Sequence, residues 1–406
     1  MATAAAVPNP QHPLRDSQFR RLWLGSAISL FGDQFYLVAL PWVVFQRTGS
    51  AVAMGTILMS AALPRAILML MGGAISDRFS PRKIMMATAT ARTLLVAAIG
   101  ALLWMHILQT WELYLLSFGF GVADAFGFPA GQTYLPFLVT RGRIVAANSV
   151  LQTTAQLVTI AGPAPAGVVV KTLGAAWAFL LDAASFLFIL GALWTLPDPP
   201  RAPASEAKPS VWRSILEGIQ YVRRDVPLAS LMLTATIINF CVAGPVSVGL
   251  PYLAAVKFGS PTAYAALVSA VAAGGLLGAL LAGVWKSPRR GLLILVVCAF
   301  LGLCLSSIGW FSRLWEIGGV LFLMGAAAGL TNIHIMSWCQ QRVEAAVLGR
   351  VMSVLMFAAV GLLPFSLALA GVLAHWSVTL LFLFASAGTL AVTAVAACQR
   401  SVREIK

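Results

Sequence analysis

Apolar stretches long enough to cross a membrane occupy most of this chain. A helix needs roughly 20 apolar residues to span the hydrocarbon layer of a bilayer. Only 10% of the 406 residues are charged, whereas soluble domains carry about 25%. The sequence therefore predicts an all-α membrane protein with twelve transmembrane helices. The twelve stretches lie at 22–46, 51–75, 84–107, 112–137, 144–170, 175–196, 228–253, 262–285, 291–312, 315–339, 347–373 and 376–398.

Basic residues are concentrated in alternate connections between these stretches. One side of the membrane holds the basic clusters at 15–21, 78–83, 141–143, 201–224, 286–290, 342–350 and 400–406. The other side holds only Arg47, Lys171, Lys257 and Arg313. Because positively charged loops stay on the cytoplasmic side, we predict a multi-pass protein of the inner (cytoplasmic) membrane with both termini in the cytoplasm. The net charge of +14 forms no continuous basic face, so the lipid bilayer is the expected partner and nucleic acid is not.

One long polar stretch, 197–227, divides the chain between the sixth and seventh spans. It begins as a proline-rich linker, and from Val211 to Arg224 its apolar residues recur at helical spacing, which predicts an amphipathic helix on the cytoplasmic surface. The two parts of the chain are similar, because Ser-Pro-Arg-Lys follows the second span and Ser-Pro-Arg-Arg follows the eighth. The sequence therefore predicts two six-helix bundles, 1–196 and 228–406, joined by a cytoplasmic linker at 197–227.

The sequence shows no motif that is typical of a catalytic or metal-binding site. The five cysteines form no C-x-x-C pair and have no zinc-ligand spacing with histidine, and there is no Walker loop or Ser/His/Asp set. We therefore predict a protein that is not an enzyme and has no metal and no cofactor. A membrane enzyme and a non-transporting membrane sensor remain as alternatives.

Four ionisable residues fall near the middle of the first four spans: Asp33, Arg65, Arg92 and Asp124. At 1.5 Å per residue, each lies roughly 14–18 Å from one end of its span. Ionisable groups inside a membrane are costly and mark functional sites. Either these residues form a fixed ion-pair network that holds the helices together, or Asp33, facing Arg65, exchanges a proton, with Asp124 as the next candidate. Asp182, closer to the outer surface, is expected to form an interhelical hydrogen bond.

The second half of the chain contains no Asp, Glu, Lys or Arg near the middle of a span. A charged wall that faces an apolar wall suits an amphipathic organic substrate. The polar candidates of the second half are Asn239, Asn332 and His334, although His334 also fits a structural role. The other residues predicted to line a substrate cavity are Gln34, Phe35, Trp42 and Phe240.

The connection between the second and third spans carries a recognisable motif. It reads Gly73-Ala74-Ile75-Ser76-Asp77-Arg78-Phe79-Ser80-Pro81-Arg82-Lys83. This resembles the G-x-L-x-D-R-x-G-x-R-[RK] signature of the major facilitator superfamily, with Ser80 in place of the second glycine. The resemblance implies that the loop latches the outward-facing state. The alternative is a charged turn whose arginines set the orientation. The residues that fit the signature are Gly73, Asp77, Arg78, Arg82 and Lys83.

Other segments resemble the macrolide-efflux and enterobactin-exporter branch of the drug:proton antiporters in this superfamily. They are Phe-Gly-Asp at 31–33, Leu-Pro-Arg at 63–65, Glu-Gly-Ile-Gln-Tyr-Val at 217–222 and Gly-Arg-Val-Met-Ser at 349–353. In the fifth span, Gly162, Pro163 and Gly167 belong to a segment similar to the G-P-x-x-G-G antiporter motif, with Ala166 in place of one glycine. The arginine found in the fourth helix of many drug antiporters is missing from 112–137.

The resemblance implies a secondary active transporter that works by alternating access and uses the proton gradient as its energy source. It implies export of amphipathic small molecules, drug-like or siderophore-like, by proton antiport, and a monomeric protein. A lipid flippase or a nutrient importer of the same fold is the alternative function.

Overall fold

A computed structural model describes residues 13–199, 211–284, 289–403 and 405. Within these ranges, the side chains at 70–78, 141, 211–215, 345, 346, 349, 353, 356, 357 and 359 lie outside the description. Every regular element in the described part of the chain is helical. The helices before the linker are α1 (Ser17–Thr48), α2 (Ala51–Arg78), α3 (Pro81–Trp104), α4 (Thr110–Leu138), α5 (Ile144–Ala161), α6 (Pro163–Thr172) and α7 (Ala175–Thr195).

The linker contains α8 (Val211–Arg224), and the Pro-rich part of the linker at 200–210 lies outside the described residues. The helices that follow are α9 (Val226–Gly244), α10 (Leu250–Phe258), α11 (Pro261–Val284), α12 (Arg290–Ser307), α13 (Leu314–Arg342), α14 (Ala345–Gly361), α15 (Leu363–Trp376), α16 (Val378–Cys398) and α17 (Arg400–Arg403).

The predicted membrane-spanning helices are confirmed. In the part of the chain that the structure describes, 11 helical segments are long and apolar enough to cross a membrane, and each coincides with a predicted span. The remaining predicted span, 347–373, consists of two shorter helices, α14 and α15, which meet at Leu362. The twelve-helix, all-α membrane fold therefore agrees with the prediction, although one span is built from two pieces.

Three of the spans are interrupted near their middle. The fifth span changes from α5 to α6 at Gly162, which is followed by Pro163. The seventh contains a π-helical turn at Pro245–Gly249, and the eleventh breaks at Leu362, two residues before Pro364. Proline has no amide hydrogen to donate and its ring crowds the preceding turn, which explains why each of these interruptions lies next to a proline.

Glycines allow helices within each half of the protein to pack with their backbones in contact. In the first half α2 packs on α4, and a Cβ atom built at Gly121 would lie 2.0 Å from the carbonyl oxygen of Ala61. In the second half α11 packs on α13, and a Cβ atom at Gly278 would lie 2.0 Å from the carbonyl oxygen of Ala326. Small residues at such crossings are typical of helix association in membranes.

The linker helix α8 packs against the second half. Gly218 lies against the backbone of Arg350 in α14, and the Arg350 guanidinium is 3.1 Å from the Glu217 carboxylate. Val222 is buried in a hydrophobic core together with residues of α9, α12 and α13. The apolar side of the amphipathic helix is thus covered at least in part by protein.

The two halves are joined at the end of the molecule that is opposite to the chain termini. At this opposite end, Gly371 of α15 lies against Ala51 and Gly55 of α2, and the rings of Phe45 and Tyr252 are 5.6 Å apart. One hydrophobic core there contains residues from both halves. At the terminal end, by contrast, there are two separate cores, and each contains residues from one half alone. The space between the halves is therefore closed at the opposite end.

Candidate functional site

A cavity of about 500 Å³ lies between the two halves. The first half contributes charged and aromatic side chains from α1 to α4, and the second half contributes mainly aliphatic side chains. The lining residues of the first half include Asp33, Tyr36, Leu40, Leu58, Arg65, Arg92, Phe120, Asp124 and Phe128. Those of the second half are Val246, Ser247, Tyr264, Val268, Val360, Leu363 and Leu367. A charged wall therefore faces an apolar wall, as the distribution of charge along the sequence suggested.

The structure brings the four charged residues of the first four spans together. Arg92 Nη2 lies 2.5 Å from Asp33 Oδ1, and Arg65 Nη1 lies 3.1 Å from Asp124 Oδ2. Arg92 Nη1 is also 3.9 Å from Asp124 Oδ1, so the two pairs form one cluster. The Arg65 side chain is 43% exposed, whereas the other three are 19–26% exposed.

The pairing within this cluster differs from the one expected from depth. Asp33 was expected to face Arg65, but its partner in the structure is Arg92. Depth in the membrane can be counted from the helix rise, but the direction in which each helix turns its side chains depends on packing. Because α2 packs closely on α4, Arg65 reaches Asp124.

Aromatic rings hold the Arg92 guanidinium in place. Its central carbon lies 4.7 Å from the ring centroid of Phe120 and 4.4 Å from that of Phe186. The Phe120 ring stacks on Tyr36 with 4.6 Å between the centroids. Cation–π contacts of this kind favour a charged guanidinium in a site with little water. Sequence reasoning did not single out Tyr36, Phe120 or Phe186, although Tyr36 lies one helical turn from Asp33 and shares its face.

Several residues that were predicted to line the cavity lie elsewhere. Among the described residues that line it, none is Gln34, Phe35, Trp42, Asn239, Phe240, Asn332 or His334. Phe35 is a core residue next to Phe31, and Trp42 packs against the same core. Asn239 and Asn332 are exposed, and Phe240 accepts a hydrogen bond from Ser366 through its carbonyl oxygen. Whether these residues meet a substrate in another state stays a prediction.

Two further predicted residues have defined surroundings. Gln34 packs against Gly162, where a Cβ atom would lie 2.4 Å from Gln34 Cγ. His334 is buried (7% exposed), and its Nε2 atom has no hydrogen-bond partner among the described residues. Neither residue shares the lining of the cavity with the charged cluster.

The motif of the fifth span forms part of the contact between the two halves. Gly162 ends α5 and Pro163 begins α6. A Cβ atom at Gly167 would lie 2.6 Å from Ala265 Cβ and 3.1 Å from the carbonyl oxygen of Pro261, both in α11. The small residues therefore permit α6 to approach the second half at the opposite end.

The motif between the second and third spans is only partly described. The side chains of Asp77 and Arg78 and the surroundings of Gly73 lie outside the description. Arg82 donates from Nε to the carbonyl oxygen of Leu193 (2.7 Å), and Lys83 lies 3.9 Å from Asp198. These contacts tie the start of α3 to the end of α7 and the chain that follows it.

Asp182 has surroundings that the sequence did not predict. Its side chain is completely buried, and neither carboxyl oxygen has a hydrogen-bond partner in the described part of the chain. The prediction that Asp182 forms an interhelical hydrogen bond is therefore wrong for this state of the protein. A Cβ atom at Gly32 would lie 2.9 Å from Asp182 Oδ1, so the carboxyl group is directed at α1 beside Asp33.

A helical membrane protein whose two halves enclose a central cavity has the architecture of a membrane transporter. The chain belongs to the Major Facilitator Superfamily, whose family model matches residues 22–364. The resemblance stated from the motifs is thus confirmed.

Curated relatives include exporters. The chain is 27% identical over 341 residues to the enterobactin exporter EntS of Citrobacter koseri, covering 82% of this chain and 79% of that protein. It is 25% identical over 349 residues to macrolide efflux protein A of Streptococcus pyogenes, covering 83% and 84%. Among solved structures, the nucleoside transporter NupG superposes with a TM-score of 0.73 at 13% identity, over 94% of this chain and 98% of that one. This last similarity concerns the fold alone.

Proposed function

We propose that this protein is a secondary active exporter of amphipathic small molecules and that it is driven by proton antiport. The observation that carries the proposal is the central cavity, in which ion-paired Asp and Arg side chains of one half face an aliphatic wall of the other. Such a cavity can bind an apolar body against one wall and a polar group against the other. The two similar exporters make outward transport of drug-like or siderophore-like molecules the favoured direction.

The distribution of basic residues gives the orientation that this function needs. By the positive-inside rule the terminal end faces the cytoplasm, in the inner membrane of the cell. The opposite end, where the halves are joined, then faces outwards, so this structure corresponds to the state that admits substrate from the cytoplasm. Residues 1–196 and 228–406 act as two six-helix bundles that rock about the central site, and the linker at 197–227 crosses the cytoplasmic side.

Asp33 is the proposed proton-coupling residue. Its carboxylate is ionised while Arg92 is bound to it, and it becomes a proton acceptor when the helices separate the pair. Asp124, between Arg65 and Arg92, is the second candidate. Because Asp33 lines the cavity, its protonation can be linked to the movement of the helices around a bound substrate. That linkage is what antiport requires.

An importer of a nutrient or a lipid flippase would use the same fold. The direction of flux separates these possibilities, because an exporter lowers the cellular content of its substrate and an importer raises it. A flippase would instead move lipids with two acyl chains between the two leaflets of the membrane.

The test is transport by the purified protein in liposomes with an imposed pH gradient, measured for a panel of amphipathic drugs and siderophores. We expect at least one panel member to be transported in the direction opposite to proton flow. Its transport should stop when an uncoupler dissipates the proton gradient. Flux that persists unchanged with the uncoupler, or no flux for any member, would contradict proton-driven export of this substrate class.

A further inference from the structure

Asp182 is a buried acid that the proposed function does not use, and it lies among other buried polar atoms. Besides both carboxyl oxygens of Asp182, the buried atoms without a hydrogen-bond partner in the described structure include Arg92 Nε, Tyr36 Oη and Ser117 Oγ. Ser185, one turn along the same helix, donates its hydroxyl to the Asp182 backbone carbonyl (2.7 Å). Buried polar groups are normally paired, so these atoms are available for a different set of hydrogen bonds.

The ionisable groups around Asp182 come from the helices that pack on α7. Helix α1 presents Asp33 and Tyr36, and α3 presents Arg92, all of which interact electrostatically with Asp182 or with one another. Helix α6 also packs on α7, but its Lys171 is exposed at the far end of that helix. The cation available to Asp182 is thus Arg92, and at present it is bound to Asp33.

A carboxylate buried without a partner is strongly disfavoured, and protonation removes most of that cost. We infer that Asp182 is a second proton-binding site: it holds a proton while Arg92 is bound to Asp33, and it becomes the partner of Arg92 when Asp33 is protonated. This inference rests on the proton-coupled function proposed above. Arg92 supplies the means of exchange, because its Nε donor is unused and Asp182 has two unused acceptors among the described residues.

The exchange conserves charge. The O–H bond of the Asp182 carboxyl group breaks, the proton forms an O–H bond on Asp33, and the guanidinium of Arg92 moves in the opposite direction to the new carboxylate. The Tyr36 hydroxyl, which is buried beside both acids, can accept and donate a proton between them. One acid of the two is always neutral and the other is always paired with Arg92, so no unpaired charge is left inside the membrane.

Asp182 and Asp33 lie at about the same depth. A Cβ atom at Gly32 would lie 2.9 Å from Asp182 Oδ1, so α1 passes α7 with Asp33 next to Asp182. The exchange can therefore take place within one cluster of side chains.

Infrared spectroscopy of the purified full-length protein tests the inference without substrate or gradient, through the carbonyl-stretch band of a protonated carboxylic acid. We expect the wild type to show this band, Asp182→Asn to lose it, and Ser185→Ala, a matched change one turn along the same helix, to keep it. We also expect Asp33→Asn to lose it, because an amide at position 33 cannot hold Arg92 and the guanidinium then ionises Asp182.

Two results would overturn the inference: a band that Asp182→Asn retains, or a band that Asp33→Asn retains at full intensity. If Asp182→Asn does not fold, spectra of wild type and Asp33→Asn with isotopically labelled aspartate still decide between these outcomes. Failure of the proposed function would be a separate result. In that case the liposome assay would show no pH-driven flux, while the infrared band would still respond to the substitutions as expected.

Discussion

Arg92 of α3 binds Asp33 of α1 at 2.5 Å and is at the same time enclosed by the rings of Phe120 and Phe186. The guanidinium is therefore fixed on three sides by groups of the first half, while Arg65 is held by Asp124 and is more than twice as exposed as Arg92. This difference suggests that the two arginines have separate tasks, with Arg92 controlling the charge of Asp33 and Arg65 facing the cavity.

Asp33→Asn is expected to reduce pH-driven efflux at least about tenfold, which corresponds to about 1.4 kcal/mol or more in the coupled step. Substrate affinity should change little, because the amide keeps the shape of the side chain. Efflux and equilibrium binding are measured on the same purified protein. Asp16→Asn is the matched control at the start of the same helix: Asp16 caps α1, and asparagine caps equally well. Full pH-driven efflux in Asp33→Asn would contradict a role for Asp33 in proton coupling, and Asp124 would become the candidate.

Arg65 and Asp124 are expected to be energetically coupled. In a double-mutant cycle with Arg65→Ala and Asp124→Ala, the destabilisation should be less than additive, with an interaction energy of about 0.5–3 kcal/mol for groups in contact. The cycle of Arg65→Ala with Asp33→Ala should give a smaller value, since Asp33 is paired with Arg92. Unfolding in mixed micelles supplies the free energies. If the interaction energy is larger for Arg65 with Asp33 than for Arg65 with Asp124, the pairing that was expected from depth alone is the correct one.

Gly278→Ala is expected to destabilise the second half by about 1–3 kcal/mol, because the added methyl group would overlap the backbone of α13. Gly283→Ala is the matched control, five residues away on α11, where a Cβ atom meets nothing within 4 Å. This control should leave stability equal or raise it by about 0.5–1 kcal/mol, since alanine favours helix over glycine. Thermal unfolding in detergent compares the two, and equal effects would show that the α11–α13 contact is looser than described.

Gly371→Leu is expected to hold the opposite end of the protein open. A Cβ atom there already lies 2.8 Å from the carbonyl oxygen of Ala51, so a leucine cannot fit while the halves are joined. In this variant, a cysteine introduced at Ser247 in the cavity should react several-fold faster with a membrane-impermeant maleimide added outside the cell. The same cysteine with Gly283→Leu provides the control. Unchanged labelling would mean that the halves separate elsewhere or that the orientation is reversed.

For the charged cluster, the depth of the residues could be predicted from the sequence, but their pairing could not. Counting residues along each span placed Asp33, Arg65, Arg92 and Asp124 at one level, and the structure does bring them together. Their partners could not be predicted, because the rotation of a helix about its own axis is set by the helices packed against it. The difference between the predicted lining residues and those of the cavity in this structure has the same origin, since Phe35 and Tyr36 are neighbours in sequence but point about 100° apart on the helix. Tyr36 therefore lines the cavity and Phe35 lies in the core.

The spans themselves were predictable, because a run of about 20 apolar residues has few alternatives to a membrane helix. The interruption at Leu362 was not, since its sequence signal is a single proline two residues further on. Asp182 was also misjudged, because the sequence gives its depth and not whether a donor faces it.

The interrupted spans place three short helical segments at the contact that closes the opposite end. Helices α6, α10 and α15 are the outer segments of the fifth, seventh and eleventh spans, with 10, 9 and 14 residues, and each contacts the other half. In two of these spans the interruption adjoins a residue that lines the cavity, Val246 in the seventh and Leu363 in the eleventh. The contact that closes the opposite end is therefore formed in part by segments that begin at the cavity wall.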